Sequence, residues 1–542
     1  MKFKALFSIC LASGAFTAFA QTHVEGVEYY KADQLENARE LLERNMNNSA
    51  TDKAIANFYL GEIAMQEGNT DKAAAFFDKG IAANPEYGFN YVGKGAILLK
   101  KGDVKEAEKM FKTAEGKAKK DPAMHIQIAR AYYGSDPAAY AKEIDKRLEK
   151  ARRINIQAPE IFIFEGDMLA DKKDWGNAGS KYEMAASYNP QGADAYVKYA
   201  NLFTQVNPEY SIKMLKQLLS QNPTSALGQR ELANAYYNNK DYENAALEYG
   251  KYVKNPNHFK QDEDRYAFLL FYGKNYKQGY DFATALLNAN PANFTARRYQ
   301  FMNAAQLPEM KGNMLQMAEE LYAAHKSNAA NKFAPIDYTL IAEEFQMAKR
   351  PQEAISVLEE AMKENPENAA FNKQLAMTYV DQNDFNKAAE AYRGYLQKIG
   401  EPGYNDFIQQ ALFSYFAGVT SKENDPALAE SNFNEAGEYA DKAAKILPDN
   451  YKPKKIQGDI AKQRASKEDV EKAAAPLYTE AITLLEASKD PSRYASDAKE
   501  MYNYMGNYYL DQKDVAKAKE FFNKYLIYDP NNEDYRKFVE KL

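Results

Sequence analysis

The sequence is poor in reactive side chains. It has one cysteine, Cys10, one tryptophan, Trp175, and four histidines in 542 residues. Beyond Cys10, disulfides and cysteine-based zinc sites are excluded. His23, His125, His258 and His325 stand far apart, and no His-Glu-x-x-His pair exists, so helical metal-ligand spacing is absent. No Gly-x-Ser-x-Gly elbow occurs. Gly93-Lys94-Gly95 lacks the preceding strand and the following Gly-Lys-Ser/Thr of a phosphate loop. Asp381-Gln382-Asn383-Asp384 lacks the glycine and terminal glutamate of a calcium loop and reads as a turn. The formal net charge is −6 with no basic block, which disfavours nucleic acid and anionic lipid as partners. A mean hydropathy of −0.66 with 27% charged residues excludes a polytopic membrane protein.

One apolar run stands out. Lys2 and Lys4 precede an apolar stretch from Ala5 to Phe19, and Ala18-Phe19-Ala20 closes it before Gln21. This is the layout of a secretory signal peptide, too short and too rich in small residues for a membrane span. Phe7-Ser8-Ile9 before Cys10 is not a lipoprotein cleavage box. The expectation is cleavage after Ala20, export, no lipid anchor and no transmembrane segment in the remaining chain. Loss of Lys2 and Lys4 makes the charge more negative still.

What is present is a repeat. A single core rarely grows beyond about 250–300 residues, so a chain of this length is several domains or an array. Ala54–Tyr87 carries Leu60-Gly61, Gly68-Asn69, Ala73, Phe77, Gly80 and Pro85. Pro335–Asn368 carries Tyr338, Ile341-Ala342, Phe345, Ala354, Leu358, Ala361 and Pro366. Lys499–Asn532 carries Tyr502, Met505-Gly506, Tyr509, Ala518, Phe522, Tyr525 and Pro530. Each unit spans 34 residues. Spacings of three and four place the large and small residues on one helical face. A polar break such as Asn238-Asn239-Lys240-Asp241 ends one helix and offers a cap to the next. Asn-Pro or Asp-Pro closes the unit, as at Asn84-Pro85, Asn189-Pro190 and Asp529-Pro530, because the residue before proline avoids helical angles.

These residues resemble the tetratricopeptide repeat family over most of the chain. The resemblance implies an all-α, right-handed superhelical solenoid of about thirteen helix-turn-helix units. Ten are clear, centred on Gly61, Gly95, Ala129, Gly166, Ala200, Ala233, Ala267, Ala342, Ala376 and Gly506. Degenerate ones fall around Gly26, Ala411–Ala443 and Gly458–Ala481. The expected organisation is a signal peptide at 1–20, an N-terminal array at 21–399, and a more irregular array at 404–542 closed by a capping helix. Gly400-Glu401-Pro402-Gly403 is the expected hinge. An extended second helix is expected from about Pro137 to Arg153, and a long irregular stretch from Leu307 to Asn331.

Most of the 41 tyrosines fall on packing positions. Tyr30, Tyr133 and Tyr237 instead follow a packing tyrosine directly, about 100° further around the helix. In the resembling family that position faces the concave groove. Arg230 and Asn234 share this face one turn apart, and Arg265, Arg297 and Arg298 lie on the next first helices. Some family members bind terminal carboxylates through such arginine and asparagine pairs, so these eight residues are the candidate groove site.

The expected function is a non-enzymatic scaffold that binds peptide or protein segments along its concave groove, without cofactor or metal. The alanine-ended leader and the tyrosine-rich and asparagine-rich repeats resemble envelope repeat proteins of Gram-negative bacteria such as Bacteroidetes. This implies a periplasmic or envelope-associated place. An alternative is a glycan-binding envelope protein distantly like the SusD type. No stretch beyond about 60 residues lacks repeat character, so a separate catalytic domain has no room.

Overall fold

The computed structural model describes residues 22–118, 120–466 and 469–542. The expected signal peptide lies outside the described residues. Helices are joined by short turns throughout, and none of the described helices is long and apolar enough to cross a membrane. The chain divides into two compact units, 1–303 and 304–542.

The first unit is built of helical pairs: α1 (His23–Lys31) with α2 (Leu35–Asn45), α3 (Lys53–Gln66) with α4 (Thr70–Ala83), α5 (Phe89–Lys100) with α6 (Val104–Lys117), and α7 (Pro122–Tyr133) with α8 (Ala141–Ile154). Then follow α9 (Pro159–Asp171) with α10 (Trp175–Tyr188), α11 (Ala193–Phe203) with α12 (Pro208–Gln221), α13 (Ala226–Asn238) with α14 (Tyr242–Tyr252), and α15 (Asp262–Tyr272) with α16 (Tyr276–Ala289).

Several turns inside a pair follow one plan. One residue takes a left-handed backbone conformation, and an Asp or Asn after it caps the next helix, although the residues after Lys274 and Lys349 make no side-chain cap. Gly68 (φ 78°) and Gly102 (φ 80°) fill the left-handed position in two turns, but Lys173, Lys240, Lys274, Lys349, Asn383 and Lys513 fill it elsewhere at φ of 58–62°. Asp103, Asp241 and Asp384 then accept from the backbone N–H three residues on, which satisfies an otherwise orphan donor. Asp381–Asp384 is thus one of these turns.

The pair itself closes by size complementarity. The Phe77 ring of α4 lies against Gly61 of α3, where an added Cβ would overlap it. Phe77, Ala73 and Leu60 are all buried. Ala107 and Phe111 repeat the arrangement against Gly95.

Two expected irregularities differ in detail. Residues 134–140 form a separate turn, and α8 begins at Ala141 with ordinary length. Asp136 causes this, since its Oδ1 accepts from the N–H groups of Ala138 and Ala139 at 3.0 and 2.9 Å. The long stretch after Leu307 resolves into a 3-10 turn, Pro308–Asn313, and a helix, Met314–Ser327.

The second unit continues the pair plan through Pro335–Met347 and Pro351–Glu364, then Ala369–Asp381 and Phe385–Lys398, then Tyr404–Ser421 and Pro426–Ile446. Gly400–Gly403, the expected hinge, is spanned by packed side chains. Gln410 donates to the Ala389 carbonyl at 3.1 Å, and the Tyr392 and Phe413 rings meet edge to face at 5.3 Å. Glu533–Lys541 packs Val539 against Ala518 and Phe522 of the preceding pair.

Candidate functional site

The first unit returns to its own beginning. α1 and α2 pack against the sixth and seventh pairs and against the loop before α15. Tyr29 meets Phe259 edge to face, ring centres 5.4 Å apart. Arg44 donates to the carbonyls of His258 and Asn257, each at 3.2 Å. Gln34 donates to Glu231 at 2.8 Å and accepts from Arg230 at 3.3 Å. Lys198 of α11 bridges Asp33 and Asp167, the latter at 3.0 Å. The contacts made by α1, α2 and the turn between them join residues 165 or more positions apart, so they close the inner surface of the intervening pairs around a passage.

Three adjoining cavities make up that passage. The first, about 510 Å³, and the second, about 250 Å³, share Tyr30, Gln127, Arg130, Asp167 and Lys198 in their walls. The second and a third of about 400 Å³ share Lys31, Tyr59, Tyr87 and Asp194.

The walls come from one register position. Glu62 follows Gly61, Arg130 follows Ala129 and Asp167 follows Gly166. The small residue faces the partner helix, so the next residue faces inward. Arg130 pairs with Asp167 at 2.8 Å, and its guanidinium lies 4.9 Å from the Phe164 ring centre. Tyr182 donates to Asp167 at 2.9 Å. Burial alone would raise Asp167, but Arg130 and Lys198 outweigh it and hold the carboxyl below its usual range. Glu62 has no such cation within an ion-pair contact. Burial pushes it up to about 7, against the amide of Gln127, which donates to it at 2.8 Å. The result is a rigid wall of mutually satisfied charges, in which each partner fixes the rotamer of the other.

The closing seam holds two more displaced carboxyls. Burial pushes Glu25 up to about 7. Burial and then the neighbouring Glu25 push Glu28 to about 8. Glu25 Oε2 and Asn257 Oδ1 are both buried acceptors without a donor, which suits a Glu25 that keeps its proton.

The candidate groove residues separate into three groups. Tyr30 and Tyr133 line the passage. Tyr30 accepts from Gln66 at 3.1 Å, and Tyr133 donates to Asp171 at 3.0 Å. Arg230 and Asn234 belong to the region of the seam: Arg230 is committed to Asp262 at 2.7 Å and lies over Phe259, while Asn234 donates to Glu231 at 3.5 Å. Tyr237 packs against Tyr242 and Phe268 with the Arg265 guanidinium over its ring at 4.6 Å. Arg297 donates to the Pro291 carbonyl at 3.0 Å, and Arg298 lies over Tyr299. Glu62, Arg130, Asp167 and Lys198 were not among the candidates. For Glu62, Arg130 and Asp167 the signal was the inward register after the small residue; Lys198, two positions before Ala200, carries no such signal.

Family models of the tetratricopeptide repeat match residues 24–87, 202–258, 346–406 and 499–532. The last is the 34-residue unit Lys499–Asn532 read from the sequence pattern. No curated protein matches the chain. Among solved structures, the C-terminal part of a repeat protein from Cytophaga hutchinsonii is 16% identical, covering 51% of this chain and 98% of that one, with a TM-score of 0.40. Yeast Tom70 is 13% identical, covering 92% and 97%, with a TM-score of 0.27. YrrB, described as a TPR protein with an unusual peptide-binding site, is 15% identical, covering 42% and 100%, with a TM-score of 0.28. Tetratricopeptide repeats are thus matched in both units, and the described residues fold as a solenoid of paired helices.

Proposed function

We propose that the protein is a non-enzymatic interaction scaffold of the periplasm or cell envelope of a Gram-negative bacterium, and that it binds peptide or protein segments. The observation that carries this reading is the tandem series of helical pairs matched by tetratricopeptide models at four places. Such repeats in general mediate protein–protein interaction, and stacked pairs offer a long surface to a polypeptide. The charges inside the first unit support a binding role over a catalytic one. Arg130, Asp167, Lys198 and Tyr182 are engaged with one another, whereas covalent catalysis needs a nucleophile poised beside a base. The leader-like segment at 1–20 supports export.

Crosslinking in intact cells, followed by mass spectrometry and fractionation, tests this reading. A reproducible envelope protein captured by the full chain in the periplasmic or membrane fraction is expected. A cytoplasmic distribution, or no recurring protein partner, would overturn it.

A further inference from the structure

Three donors in the passage are left over. Among the described residues, Lys31 Nζ has no ion-pair or hydrogen-bond partner. Among the described residues the hydroxyls of Tyr59 and Tyr87 have no acceptor, although both rings are packed: Tyr59 against Tyr30 at 5.0 Å and Tyr87 against Phe89 at 5.1 Å. All three line both the second and the third cavity. They sit where the passage runs from one chamber to the next. Lys31 remains exposed to that space although the unit surrounds it.

The protonation of these groups is fixed. Tyr59 acts most strongly on Lys31, raising it against the cost of burial, and Asp194, Glu160 and Glu28 add to that. Burial raises both phenols. One ammonium, exposed to the cavity, and two half-buried phenolic O–H groups therefore converge on this junction as donors open to an acceptor.

The acceptors nearby select the ligand further. Asp194 lines the same junction, and Glu160 lines the second cavity. A simple anion on Lys31 would sit in the field of these carboxylates. A molecule that brings its own ammonium group would meet a donor set and an acceptor set together. Small concave sites with few convergent polar groups are the usual form of a metabolite pocket.

We infer that the passage of the first unit holds a small zwitterion of the α-amino-acid class, its carboxylate on Lys31, Tyr59 and Tyr87 and its ammonium toward Asp194 and Glu160. This site is separate from the binding of a protein partner and stands if that reading fails.

The test uses the full chain and twenty free L-α-amino acids, each paired with its C-terminal amide, in a thermal-shift screen followed by calorimetry. At least one amino acid is expected to bind while its amide does not. The variant Lys31→Met, and separately the double variant Tyr59→Phe with Tyr87→Phe, should weaken binding by roughly 10–100-fold, the worth of hydrogen bonds to a charged group. The tyrosine double variant removes only two oxygens, so it keeps the test open if Lys31→Met fails to fold. Binding of no amino acid, equal binding of the amide, or binding indifferent to the tyrosine pair would each overturn the assignment.

Discussion

Arg230 and Asp262 form a two-pronged ion pair, with Nε–Oδ2 at 2.7 Å and Nη2–Oδ1 at 3.4 Å, and the same guanidinium reaches across to Gln34 of the first helical pair at 3.3 Å. One side chain thus ties the seventh pair to the eighth and both to the first. Tyr252 adds a hydrogen bond to Asp262 at 2.8 Å. The seam is a polar network under a ring contact, Tyr29 on Phe259.

Removing one member of that network leaves the others buried without partners. Arg230→Ala is expected to destabilise the protein by about 2–4 kcal/mol. Asp262→Asn should cost less, because it keeps the shape and some of the hydrogen bonds. Urea denaturation followed by tyrosine fluorescence measures both.

The seam should also respond to pH. Glu25 and Glu28 titrate at about 7 and 8 against an ordinary value of 4.5. The closed unit therefore favours their protonated forms. This contribution is full below about pH 4.5 and is lost as pH rises through about 7 to 8. Hydrogen exchange of the His23–Asn45 segment, corrected for the intrinsic rate, should show protection falling between about pH 5 and 8 and level above that. The double variant Glu25→Gln with Glu28→Gln should flatten that dependence. Equal slopes in the two proteins would remove the carboxyls from the account.

Gly61 tests the packing of the repeat. A methyl group there meets the Phe77 ring, so Gly61→Ala should lower stability by about 1–3 kcal/mol despite its better helix propensity. Combining it with Phe77→Leu should recover part of the loss, since the two sites share one volume.

Lys240 tests the turn. Its φ of 60° is strained for a side chain and free for glycine. Lys240→Gly should stabilise by about 0.5–1 kcal/mol, the strain relieved less the added freedom of the unfolded chain. A lowered melting temperature would contradict this.

The helical pairs, their polar turns and their Asn-Pro closures were legible because each follows from spacings within 34 residues. Tyr30 and Tyr133 were legible for the same reason, as the second of two adjacent tyrosines. The seam was not. It arises from small rotations accumulated over several pairs, and its contacts join residues such as Gln34 and Glu231 that no local pattern relates. Arg230 illustrates the consequence. Its counter-ion, Asp262, comes from the next first helix, and the charge expected to meet a groove ligand is engaged inside the fold.

The closure of the first unit is tested most directly by a crosslink. With Cys10→Ser the chain has no cysteine, so Gln34→Cys and Glu231→Cys would introduce the only pair. The native side chains at these positions meet at 2.8 Å. A short bismaleimide should join the two cysteines within one folded molecule, giving a shifted band on a denaturing gel that is absent when the reagent is added in urea. A folded double variant that labels at both cysteines but forms no intramolecular crosslink would contradict the closed passage.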